Sequence, residues 1–77
     1  MDIRVLVGNR IRTLRQQKNI SQESLAALCA LDRTYISGVE SGKRNISIVN
    51  IEKIALSLDL DLKTFFNTEY FERRDNL

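Results

Sequence analysis

Residues 22–41 read QESLAALCALDRTYISGVES, and how this stretch divides decides the fold. Ser21, just before it, can accept a hydrogen bond from a free amide of a first helical turn, and Glu23 favours the positive end of that helix's dipole. The pattern predicts a helix over residues 22–29 that buries Leu25, Ala26, Leu28 and Cys29. Asp32 can cap a further helix over residues 33–41, with Ile36 and Val39 on its inner side. Only Ala30, Leu31 and Asp32 separate the two. Two short helices therefore meet across a tight turn.

Upstream of this unit, Ile3, Val7, Ile11 and Leu14 follow one another at spacings of four, four and three residues. They draw an apolar stripe along a first helix that ends near Lys18-Asn19, with Arg10, Arg12 and Arg15 beside the stripe. Downstream, Gly42 takes a left-handed conformation at no steric cost and can end the helix before it. Lys43, Arg44 and Asn45 then make a polar, basic loop. Ser47 can cap a fourth helix on which Ile48, Ile51, Ile54, Ala55 and Leu58 recur at helical spacing, and Asp61 a short fifth helix from Leu62 to about Asn67. No proline interrupts the chain. The predicted fold class is all-α, a compact five-helix domain. Residues 68–77, charged around Tyr70 and Phe71, are compatible with an added strand, a helical turn or a loose tail.

Composition limits the function classes. At 77 residues the chain is near the lower limit for one unstapled hydrophobic core, so a single domain over residues 1–77 is expected. The one cysteine, Cys29, gives no intramolecular disulfide and no multi-cysteine metal cluster. Without histidine, neither the usual zinc sites nor a histidine-activated nucleophile can be assembled. Gly8, Gly38 and Gly42 stand too far apart for a phosphate-cradling loop. The expectation is a non-enzyme with no cofactor and no metal. No run approaches the roughly 18 apolar residues of a membrane span, and no basic leader precedes an apolar run, so a cytoplasmic protein with no membrane partner is expected.

The net charge of +2 conceals an asymmetry. Residues 1–44 carry eight Lys/Arg against four acids, whereas residues 45–77 carry four against six. The first part suits a polyanion. Ordinary solvated helix faces would give the same totals.

The segment 22–41 also meets the demands of a helix-turn-helix position by position. Leu25, Cys29, Leu31, Ile36 and Val39 stand where apolar residues face the core, and Ala26 is small where the two helices approach most closely. Ala30 occupies the turn position that usually carries glycine for its positive φ. Ser21 to Ala26, Arg33 to Glu40 and the following Gly42-Lys43-Arg44 resemble the five-helix repressor family of the phage lambda and Cro type over about residues 7–67. Within that family, residues 31–40 are similar to the controller proteins of restriction-modification systems.

The resemblance implies roles for individual side chains. Gln22 would touch a phosphate and brace the recognition helix. Arg33 and Thr34 open that helix where the family reads bases: arginine can donate two bonds to guanine O6 and N7, and a threonine methyl can meet the methyl of thymine. A phosphate contact is the alternative for Arg33. Ser37 lies one turn further along the same groove-facing side. The ring of Tyr35 either meets the DNA backbone or a base, or covers the domain edge. Ser41, Lys43, Arg44 and Asn45 would contact phosphates, which set register and affinity but carry no sequence information. Arg15 and Glu40 match an arginine and a glutamate that pair across helices 1 and 3 in the phage repressors, so their pairing is structural.

Four of the five aromatics, Phe65, Phe66, Tyr70 and Phe71, crowd into seven residues beside Leu60 and Leu62. That is more apolar surface than one small core needs, and it predicts a homodimer interface within residues 56–71, built on Leu60, Leu62, Phe65 and Phe66; the alternative is that Phe65 alone plugs the core and the other rings pack locally. The function expected is a sequence-specific transcriptional regulator that binds double-stranded DNA at an inverted repeat. RNA polymerase is admitted as a further partner. A phage-type repressor or an antitoxin-type module is the alternative setting for the same mechanism.

Overall fold

A computed structural model describes residues 2–72. Five α-helices, α1 (Ile3–Gln17), α2 (Gln22–Leu28), α3 (Arg33–Glu40), α4 (Ile48–Ser57) and α5 (Leu62–Phe65), are followed by a single 3-10 turn, Glu69–Phe71. The all-α, five-helix expectation holds, with helix ends within two residues of the predicted ones. The 3-10 turn resolves part of the segment that the sequence left open, and residues 73–77 of that segment lie outside the described residues.

The helix ends follow one local code. Asp2, Ser21, Asp32, Ser47 and Asp61 each accept a bond from a first-turn amide, satisfying donors that the helix itself leaves free. At the other ends Asn19, Ala30, Gly42 and Asp59 adopt positive φ of 57°, 55°, 78° and 61°. The next amide in each case reaches back to a carbonyl of the last turn: Ile20 to Arg15, Leu31 to Ala26, Lys43 to Gly38, Leu60 to Ala55. These are Schellman closures. In three of them the returning residue, Ile20, Leu31 or Leu60, is apolar and packs against the core, and the very next residue caps the following helix. A left-handed residue, an apolar anchor and an N-cap thus turn the chain three times with three residues each. Ala30 keeps the left-handed geometry without glycine, at a cost of about 1 kcal/mol.

Val7, Ile11 and Leu14 of α1, Leu25 and Ala26 of α2, Ile36 and Val39 of α3, Ile51, Ile54 and Ala55 of α4 and Phe65 of α5 enclose the core, with Cys29 and Leu58 at helix ends. Where α1 crosses α3, a methyl on Gly8 would run into the carbonyl oxygens of Val39 and Glu40. Glycine here lets the two backbones touch.

Four expectations are corrected. Leu28 is 61% exposed, because at about 100° per residue it falls on the side of Leu25 away from Ala26 and Cys29. Ile3 and Ile48, in the first turns of α1 and α4, are also exposed, whereas Leu6 of α1 is buried. Phe65 is fully enclosed in the monomer and leaves the set of interface residues. Its ring fills the core beneath α4 and meets Phe66 edge-on at 4.9 Å, while Phe66 meets Phe71 at 5.0 Å. Much of the aromatic cluster therefore packs locally. Leu60, Leu62 and Phe66 stay partly exposed, and Leu56 beside them on α4 is 61% exposed.

Candidate nucleic-acid interface

The exposed side of α3 carries Arg33, Thr34 and Ser37 together. Asp32 fixes the start of the helix by accepting from the Thr34 amide at 3.1 Å, so Arg33 leaves the protein from a closed first turn. Arg33 and Ser37, four residues apart, project from one face. Gly38 continues that side, and a Cβ there would collide with Cγ and Cδ of Arg44. The missing side chain leaves room for the Arg44 stem to lie flat on the helix.

The loop after α3 is tied back to it. Ser41 Oγ donates to the Gly38 carbonyl at 2.9 Å, and the amides of Lys43 and Arg44 donate to the same oxygen at 3.0 and 3.3 Å. Lys43, Arg44 and Asn45, in the loop that follows α3, are all exposed. The Ser41 hydroxyl hydrogen and the amides of Lys43 and Arg44 are thereby committed within the protein, which leaves the exposed side chains of Lys43, Arg44 and Asn45 as the outward groups. The Arg44 guanidinium lies over the Tyr35 ring, 4.9 Å from its centre, within the range of a cation–π contact.

Behind this surface α1, α2 and α3 are clamped through one carboxylate. Glu40 is 2% exposed, and its two oxygens accept from Arg15 Nε at 2.7 Å and Arg15 Nη2 at 2.9 Å in a bidentate fork. Arg15 also donates to the Ile20 carbonyl at 2.9 Å. Gln22 Nε2 donates to Glu40 Oε1 at 3.2 Å, and Arg12 approaches the same oxygen at 3.5 Å. Burial pushes the Glu40 carboxyl up, but the bonds from Arg15, Gln22 and Arg12 outweigh it and hold the group below the ordinary glutamate range. The same bonds raise the Arg15 guanidinium. The Arg15–Glu40 pair expected from the resemblance is present, and Gln22 is bound to α3 through its last residue.

Sequence reasoning missed three participants. Arg10 donates to the carbonyls of Phe65 at 2.7 Å and Thr64 at 3.0 Å, closing the end of α5 from α1. Arg12 supports Glu40 on its exposed flank, reaching its backbone carbonyl at 3.4 Å. Asn50, in the first turn of α4, donates to the Tyr35 hydroxyl at 3.1 Å. The only sequence signal for Arg10 and Arg12 was their place beside the α1 stripe, and Asn50 had none. Among the described residues no group of three or more potential metal ligands gathers, and no helix is long and apolar enough to cross a membrane.

Comparison with known proteins agrees with this geometry. A profile of the helix-turn-helix family (HTH_3) matches residues 11–65. The control protein C.MunI of a Mycoplasma species is 49% identical over 67 residues, covering 86% of this chain and 90% of that protein. The crystal structure of the restriction-modification controller C.AhdI from Aeromonas hydrophila superposes with a TM-score of 0.81 at 48% identity, over 86% of this chain and all of that one. The controller C.Esp1396I, solved as a tetramer with its natural 35 base-pair operator, gives 0.80 at 38% identity over 86% and 87% of the two chains. The chain belongs to the helix-turn-helix family, and it is a DNA-binding regulator similar to the control proteins of restriction-modification systems.

Proposed function

We propose that two copies of the chain grip an inverted-repeat operator, each placing α3 in the major groove, and that the complex controls the transcription of restriction-modification genes. The observation that carries this reading is the shared exposure of Arg33, Thr34 and Ser37 on one face of α3, with the Lys43–Asn45 loop tied alongside. The first group has the chemistry to read base edges; the second has the cationic and amide side chains to hold phosphates. The C.Esp1396I tetramer on its operator supports both DNA binding and assembly as properties of such chains. Whether transcription rises or falls then depends on where the operator lies relative to the promoter, with RNA polymerase as the further partner.

Arg33→Ala is expected to reduce the discrimination between cognate and altered operators by roughly 1–3 kcal/mol, whereas Lys43→Ala weakens binding to every duplex alike and lowers the salt slope by about one. Competition gel shifts at several salt concentrations separate the two. Lys43 is the cleaner phosphate probe, because Arg44→Ala would also uncover the Tyr35 ring. Equal weakening on all sequences by Arg33→Ala would reassign that side chain to a phosphate.

A further inference from the structure

Tyr35 occupies the third position of α3, where a small rotation about its side-chain bonds would sweep its hydroxyl across several ångströms of the DNA-facing surface. The structure holds the ring at two points. Arg44 covers its face, with the guanidinium 4.9 Å from the ring centre and its stem resting where Gly38 has no Cβ. Asn50 holds its tip, donating from Nδ2 to the phenol oxygen at 3.1 Å. Asn50 is itself placed by the start of α4, where its backbone amide donates to the capping Ser47 Oγ at 3.1 Å. The hydroxyl of Tyr35 is thus referenced to α4 as well as to α3.

A phenol offers one donor and can also accept. With the oxygen accepting from Asn50, the hydroxyl hydrogen turns elsewhere, and among the described residues it meets no acceptor. We infer that Asn50 is a positioning residue for DNA recognition: it fixes the Tyr35 hydroxyl so that its free O–H donates to an acceptor oxygen or nitrogen on the operator. This rests on the operator-binding reading given above. The acceptor is either a phosphate oxygen or a base edge, and both take the same donor in the same place. What Asn50 supplies is preorganisation, since a ring already held in its bound direction loses less freedom when the DNA arrives.

The test is a double-mutant cycle on operator affinity. Wild type, Asn50→Ala, Tyr35→Phe and the double variant are titrated against the selected operator and against an unrelated duplex of equal length, with a thermal melt of each protein. Each single change is expected to weaken operator binding about tenfold, and the double variant to bind no more weakly than the weaker single. If the melt shows that Asn50→Ala fails to fold, Asn50→Ser takes its place in the cycle. Loss confined to the operator assigns the donor to a base edge, and equal loss on both duplexes assigns it to a phosphate. Operator binding unchanged by Asn50→Ala, or a loss that persists in full in the Tyr35→Phe background, overturns the proposal. Wild type that does not distinguish the two duplexes at all overturns instead the operator-binding reading on which it rests.

Discussion

Arg15→Ala is expected to lower the unfolding free energy by about 3 kcal/mol, the largest loss among the polar substitutions considered. The change leaves the Glu40 carboxylate inside the protein without its bidentate partner, and stranding one member of a buried pair costs roughly 3–5 kcal/mol. The lower end of that range applies because Gln22 and Arg12 still approach Glu40 at 3.2 and 3.5 Å. Arg15→Met with Glu40→Leu removes both charges and should recover much of the loss, so a cycle measured by urea unfolding yields a coupling well above zero. Strictly additive losses would mean that the two side chains act separately. The pair also sets a pH dependence. The folded carboxyl is held below its ordinary value near 4.5, so its stabilising contribution is complete above that pH and disappears as pH falls through the lower folded value. Between pH 5 and 3 the wild type should therefore lose stability more steeply than Glu40→Gln.

Leu56→Glu combined with Leu62→Glu is expected to give a folded monomer whose operator affinity falls by a hundredfold or more. The α4 position is 61% exposed and the α5 position half-buried against the core, so most of the charge falls on an apolar surface between copies, and a thermal melt reads what Leu62→Glu costs the monomer. Two linked recognition helices convert the second half-site into an intramolecular event, and that advantage is commonly worth 10²- to 10⁴-fold. Phe66 is a poorer target than the sequence alone suggested, since its ring is wedged between Phe65 and Phe71. Analytical ultracentrifugation beside a gel-shift titration reads both quantities. A variant that still sediments as the wild type does, or a wild type that is already monomeric at tens of micromolar and binds one half-site as tightly as two, would remove residues 56–71 from the interface.

The helix ends were legible because capping is local: Ser21, Asp32, Ser47 and Asp61 act on amides two or three residues away. Periodicity located the core face of α2 but misjudged Leu28, since over seven residues a helical stripe is too short to fix its own centre. The aromatic count from Phe65 to Phe71 could not decide between Phe65 as a core plug and Phe65 as an interface residue. That depends on the Asp59–Asp61 turn, which drops Phe65 beneath α4. Within the candidate site, Arg33, Thr34, Ser37 and the Lys43–Asn45 loop were readable as an exposed set, and the Arg15–Glu40 pair came with the family resemblance. Asn50 to Tyr35 and Arg10 to the end of α5 join residues 15 and 55 positions apart. Such bonds exist only once the helices are packed, so no spacing in the chain announces them.

If two copies of α3 read bases in an inverted repeat, selection of bound sequences from a random double-stranded DNA library should reveal it. The expected result is enrichment of two inverted half-sites centred about one helical turn, 34 Å, apart, with a guanine in each half whose preference is lost for Arg33→Ala. A library that emerges unenriched, or one whose enriched sequences contain a single uninverted element with no dependence on Arg33, would rule out paired base reading by α3.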